Sequence, residues 1–123
     1  DRLEAGTGRW LASQQPADWR VAATDITLRA LRAAADPTNQ ALLAACARRG
    51  SLPASELGQA AGLGRLPLAE RVNDLAQVGL LAWNIDTDQV QATAGGAALA
   101  RLIDEIAAAT ARKLEEALPA TTR

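Results

Sequence analysis

The chain has no histidine, phenylalanine, tyrosine or methionine, and one cysteine, Cys46, in 123 residues. A lone cysteine excludes an internal disulfide and suits a reducing compartment. Without histidine there is no Ser/His or Cys/His pairing for nucleophilic catalysis, and the His/Cys sets that bind soft and borderline metals are missing. Asp104 and Glu105 are adjacent on a helix, so they point apart and read as solvated. No Gly-rich phosphate loop follows a strand, and no paired acids form a recognisable site. The chain is therefore not read as an enzyme, and no catalytic residue, cofactor or metal site is expected. No apolar run approaches the roughly 20 residues of a membrane span. No signal peptide is visible, so a cytoplasmic location without a membrane partner is expected.

Lysine is scarce as well: Lys113 stands alone against twelve arginines, and the net charge is −1. That balance gives no overall attraction to nucleic acid, although a local basic face can exist on a neutral protein. What the chain does have is small aliphatic residues. Hydrophobic residues make up 49% of it, nearly all Ala, Leu, Ile and Val. Small side chains let helices approach closely but make each contact thin, so such a domain gains from a partner subunit that adds buried area.

The pattern along the chain is mostly helical. Residues 1–17, with Gly6, Gly8 and Pro16, read as a loose arm that includes a short turn around Trp10 and Leu11. From Asp18, a plausible N-cap, the residues Trp19, Ala22, Ala23, Ile26 and Ala30 recur at helical spacing. Asp36-Pro37 ends that helix and restarts the chain as N-cap and N1 of the next. Leu42, Leu43, Cys46 and Ala47 form its apolar stripe, Arg48 and Arg49 suit its C-terminal dipole, and Gly50 stops it. Ser51-Leu52 reads as a short extended step. A helix over residues 53–61 places Leu57 and Ala60 or Ala61 inward and stops at Gly62. After Gly64, Leu68, Val72 and Leu75 share a helical face, with Pro67 tolerated in the first turn and Gly79 as the end. Leu81, Trp83 and Ile85 then alternate with polar or small residues as a strand does. Residues 86–89 are turn formers, Val90, Ala92 and Ala94 return, and Gly95-Gly96 breaks the strand. Leu99, Leu102, Ile103 and Ile106 lie on a last helix reaching about Leu118. The expected organisation is an arm (1–17), one domain (18–118) and a polar tail (119–123).

Four segments taken together resemble the ArsR-like winged-helix repressors. RAAADPTNQALLAA is similar to the step that opens that family's second helix, and SLPASELGQAAGLG to its first turn-helix step. RVNDLAQVGLL is similar to its recognition helix with a closing Gly-Leu pair, and QATAGGAALARLI to its return strand and final helix. The resemblance covers roughly residues 20–110. It implies a mainly α winged helix-turn-helix with a short β-hairpin wing, and a homodimer built from long first and last helices that represses transcription. The implied dimer face is Trp19, Ile26, Leu102, Ile103 and Ile106; the same five residues can instead close the monomer core. Family members are usually released from DNA by a metal or another signal. With no metal ligands here, any ligand is expected to be organic or absent, and a protein partner stays open.

The chain departs from the family where DNA is read. Asn39 replaces the usual Arg after A-D-P-T. Gly64, Leu66 and Pro67 replace small polar residues, and Glu70 occupies a basic or neutral polar site. Ala82-Trp83-Asn84 replaces a basic strand, and the wing carries Asp86 and Asp88. DNA affinity rests on phosphate contacts by Lys and Arg, and specificity on base-edge contacts in the major groove. In the recognition helix, about residues 65–78, Arg65, Arg71 and Asn73 are the candidate contacts to double-stranded DNA of unknown operator sequence. Glu70 and Asp74 cancel their charge. Leu66 and Trp83 are candidate protein contacts if exposed, and Trp83 otherwise covers the core edge. Trp10 folds back on its own subunit, supports the dimer or lines a small-molecule site. Cys46 reads as a small core residue, with redox sensing as the alternative. Two functions stay open: a metal-independent DNA-binding regulator, or a winged helix kept for dimerisation or protein binding with DNA reading lost.

Overall fold

The structure, a computed structural model, describes residues 16–118. The arm expected over residues 1–17, with Trp10, therefore lies outside the described residues except for its last two, as does the tail from residue 119. Among the described residues, five helices and a three-stranded antiparallel sheet form a winged helix-turn-helix: α1 (Pro16–Ala34), α2 (Pro37–Arg49), β1 (Ser51–Pro53), α3 (Ala54–Ala61), α4 (Arg65–Gln77), β2 (Leu81–Asn84), β3 (Gln89–Ala92) and α5 (Ala94–Ala117).

Helix α1 begins at Pro16, so Asp18 lies in its first turn and does not cap it. A carboxylate there still suits the positive end of the helix dipole. Of the apolar stripe on α1 only its C-terminal end reaches the core, through Ala30 and Ala34. Asp36 then caps α2 as its sequence dictates. Its backbone is extended, its carboxylate accepts the Asn39 N–H at 2.9 Å, and Pro37 occupies the first turn, where a missing N–H costs little. Leu42, Leu43 and Cys46 of α2 are buried at the centre of the core, against Leu57 of α3, Leu68, Val72 and Leu75 of α4, and Leu81 and Val90 of the sheet. Gly50 ends α2 with φ +82°, a conformation glycine adopts without steric cost.

Helix α3 starts at Ala54, with Pro53 at its N-cap position and no side-chain cap. The Ala54 N–H donates instead to the carbonyl of Asp88, 2.9 Å away at the end of the wing turn. Gly62, left-handed at φ +68°, turns the chain, and Gly64 precedes α4. Pro67 falls in the first turn of α4, where the helix asks for no N–H from it.

The strand order is β1-β3-β2, with Val90 of β3 facing Leu52 on one side and Trp83 on the other. Two expectations about the wing are corrected. The alternation of Leu81, Trp83 and Ile85 breaks at Asn84, whose side-chain oxygen accepts the N–H groups of Asp86 and Thr87 at 3.0 and 3.3 Å and bends the chain into the turn. Ile85 consequently sits in the turn, 76% exposed. Ala94 does not extend the return strand, and Gly95-Gly96 lie inside the first turn of α5. Thr93 caps that helix by accepting the Gly96 N–H at 2.9 Å. Gly96 is there for space: a Cβ built on it would stand 2.0 Å from the Leu80 carbonyl oxygen. The buried residues of α5 are Gly96 and Ala100, with Leu99 and Ile103 partly buried against the core. From Asp104 to Leu118 every residue is exposed.

Candidate nucleic-acid interface

Helix α4 turns Leu68, Val72 and Leu75 into the core. At 100° per residue, the opposite face carries Leu66, Glu70, Asn73, Asp74 and Gln77, all exposed. That outward face has two carboxylates and no cation. Asn73, a sequence candidate for base contact, is on it, and among the described residues its side chain has no hydrogen-bond partner. Arg65 and Arg71, the other two candidates, sit on the flanks of the helix, and each is held by an aspartate from another element.

Arg65, the first residue of α4, leans toward the wing. Its Nη1 and Nη2 donate to the two carboxylate oxygens of Asp88, each at 3.2 Å, in the fork geometry that matches guanidinium to carboxylate. The guanidinium carbon lies 5.7 Å from the centroid of the Trp83 ring, within cation–π range. Trp83 closes the triangle by donating its Nε1–H to Asp88 Oδ1 at 3.0 Å. Trp83 is half-buried against the core edge, so its ring is part of the fold rather than a free contact. The Arg65 hydrogen bonds hold the Asp88 carboxyl below the usual carboxylate range, aided by the Trp83 indole, and Asp88 in turn raises Arg65. Asp88 has φ +54°, left-handed, a region that Asp tolerates better than most residues.

Arg71 leans the other way, to the start of α2. Its Nη1 donates to Asp36 Oδ2 and, at 3.3 Å, to Asn39 Oδ1. Asn39 is polar and buried, 7% exposed, and its Nδ2 donates to the Ala33 carbonyl at 3.0 Å. Asn39 thus places an amide between the end of α1, the start of α2 and the flank of α4. The Asn39 backbone N–H, with Arg71 beside it, keeps the Asp36 carboxyl below its usual range. Sequence reasoning identified Asp36 as a cap and missed it as an ion-pair partner, since Arg71 lies 35 positions away. It also missed Asp88 as the junction of wing, α3 and α4.

Elsewhere, Arg49 pairs with Glu56 at 3.8 Å, while Arg48 is exposed at the end of α2. Cys46 is fully buried, and burial pushes its thiol up to about 11, away from the reactive thiolate. Among the described residues no group of three or more His, Cys, Asp or Glu could hold a metal ion, and no helix is long and apolar enough to cross a membrane. Of the residues expected at a dimer face, Trp19, Ile26, Leu102 and Ile106 are 40–57% exposed, and Ile103 rests partly on the core. Four of the five therefore do not close the monomer core.

No protein-family model matches the chain, and no curated protein is similar to it in sequence. Among solved structures it is similar to the crystal structure of the transcriptional repressor BigR from Xylella fastidiosa, with a TM-score of 0.57 and 22% identity over 76% of this chain and 96% of that one. At that identity the likeness is one of fold, and it agrees with the winged helix-turn-helix derived from the element order.

Proposed function

We propose that this protein is a dimeric, cytoplasmic, DNA-binding transcriptional regulator of the ArsR-like type, acting as a repressor without a metal site. One observation carries the reading: α4 packs one face on the core and leaves the opposite face open, with a β-hairpin wing bound to its first residue, the arrangement in which a winged helix enters the major groove. Arg65, beside the wing, supplies the cation nearest the phosphate backbone. Asn73 offers an amide that can pair with an adenine edge. Arg71 contributes the part of its guanidinium that Asp36 and Asn39 leave open, and fixes α4 against α2. Trp19 and Ile26 of α1, with Leu102, Ile103 and Ile106 of α5, supply the dimer contact. A small organic ligand or a protein partner supplies any release signal.

The test is fluorescence anisotropy with duplexes from the promoter of the protein's own transcription unit. Arg65→Ala weakens binding to every duplex, because it removes a cation and uncovers Asp88. Asn73→Ala weakens binding to the operator in preference to other sequences. If no promoter duplex binds at low salt, the proposal falls.

A second reading is favoured by the acidic outward face: Glu70 and Asp74 are exposed there beside Leu66, which is 71% exposed, while both arginines of α4 are paired. On that reading the fold serves dimerisation or protein binding, and the protein dimerises normally while ignoring DNA.

A further inference from the structure

We infer that Asp88 restrains DNA binding, its carboxylate occupying the Arg65 guanidinium as an internal stand-in for a backbone phosphate. The inference rests on the DNA-binding reading above and names the residue of this chain that sets its strength.

The geometry is that of a latch. A guanidinium fork offers paired N–H groups, and a carboxylate or a phosphate can take them in the same way. Here both prongs are filled by Asp88, and the plane is backed by the Trp83 ring. Asp88 is itself fixed from three sides: its carboxylate accepts from Trp83, its carbonyl accepts the Ala54 N–H that begins α3, and its backbone holds a left-handed conformation. The carboxylate is therefore delivered to Arg65 by the fold and does not merely drift near it. The pair is also open to water, with the Arg65 side chain 67% exposed and that of Asp88 44%. An exposed pair holds weakly and can be exchanged for another anion. While it is closed, its net charge is zero, and Arg65, at the junction of wing and recognition helix, draws no phosphate. Asp88 thus costs the DNA complex twice, by occupying Arg65 and by placing a negative charge where a phosphate would come.

Asp88→Asn isolates the charge. Asparagine accepts the left-handed conformation as readily as aspartate, and its side-chain oxygen can still take the Trp83 Nε1–H. The sequence-independent phosphate term is what changes, so a random duplex of about 30 base pairs serves as probe alongside promoter DNA. Anisotropy titrations across salt concentrations compare wild type, Asp88→Asn, Arg65→Ala and the double variant, with thermal unfolding to establish that each is folded. The expected result is that Asp88→Asn binds about three- to tenfold tighter at about 100 mM salt, with a plot of log affinity against log salt steeper by about 0.9 per protomer. Arg65→Ala in the Asp88→Asn background cancels that gain. A merely structural role for Asp88 would alter melting temperature and leave the salt slope where it was. If folded Asp88→Asn binds no more tightly than wild type, or with the same slope, the latch is wrong and the DNA-binding reading stands. If no form binds either duplex at low salt, the DNA-binding reading fails and takes the latch with it.

Discussion

Asn39 shows how much one amide can tie together. Its side chain is buried, spends its NH₂ on the Ala33 carbonyl, and offers its oxygen to Arg71. Truncating it leaves an acceptor at the end of α1 and a cation on α4 each short of a partner at a part-buried site. An unsatisfied buried group of this kind costs about 1–3 kcal/mol. Asn39→Ala therefore lowers the melting temperature and leaves the fold intact, as thermal unfolding by circular dichroism can check. The aspartates act through pH. Asp36 and Asp88 are held below the usual carboxylate range in the folded chain, so their stabilisation is complete above about pH 4, the unfolded value, and is lost as pH falls through the lower folded values. Urea midpoints measured from pH 8 down to pH 3 decline at the acid end, and less steeply in Asp88→Asn. At this scale the sequence is legible where partners are near neighbours: the Asp36 cap reaches three residues along the chain. The Arg71–Asp36 and Arg65–Asp88 pairs span 35 and 23 positions, and only the folded helix-turn-helix brings them together.

Among the elements, the start of α5 is the most sharply constrained. Glycine inside a helix ordinarily gives up about 1 kcal/mol relative to alanine. At Gly96 the exchange reverses sign, because the Leu80 backbone carbonyl fills the space of the missing methyl. At neighbouring Gly95 the same built Cβ finds only ordinary contacts, the nearest at 3.6 Å. Gly96→Ala lowers the melting temperature by many degrees, whereas Gly95→Ala leaves it level or raises it slightly; differential scanning calorimetry on both separates crowding from helix propensity. The sequence pattern reads the Gly-Gly pair as the end of a strand because composition cannot reveal a carbonyl from 16 positions earlier. It loses the strand at Ile85 for a similar reason: the side chain of Asn84 takes over the backbone N–H groups that a continuing strand would have spent on its partner. Helices α2 and α4 are legible almost to the residue, since their apolar spacing, the Asp-Pro start and the glycine stops agree with one another.

As a whole, the molecule is a small core of leucine and valine from which two helices carry apolar surface outward. Trp19, Ile26, Leu102 and Ile106 are each at least 40% exposed, and beyond Ile103 α5 has no buried residue. Exposed apolar surface on that scale marks an interaction site, and the occupant proposed above is a second copy of the chain. Sedimentation at micromolar concentration is expected to give twice the 12.8 kDa chain mass, and Ile106→Glu, which buries a charge in the contact without touching the core, to shift the protein toward the monomer. A monomeric wild type would reject the dimer. The composition points the same way, because alanine-rich helices bury little per residue. It is silent on charge at the outward face of α4: twelve arginines and a net charge of −1 give no hint that both arginines of α4 are turned aside while its carboxylates face out. The central claim, that this fold reads DNA, is met most directly by the affinity of the wild-type protein for a promoter duplex as salt is raised from about 50 to 200 mM. The account predicts measurable binding at the low end, weakening linearly on a log–log plot with a slope of about −2 to −4, as two to four neutralised phosphates require. Absence of binding at the lowest salt, or binding that ignores salt, contradicts it.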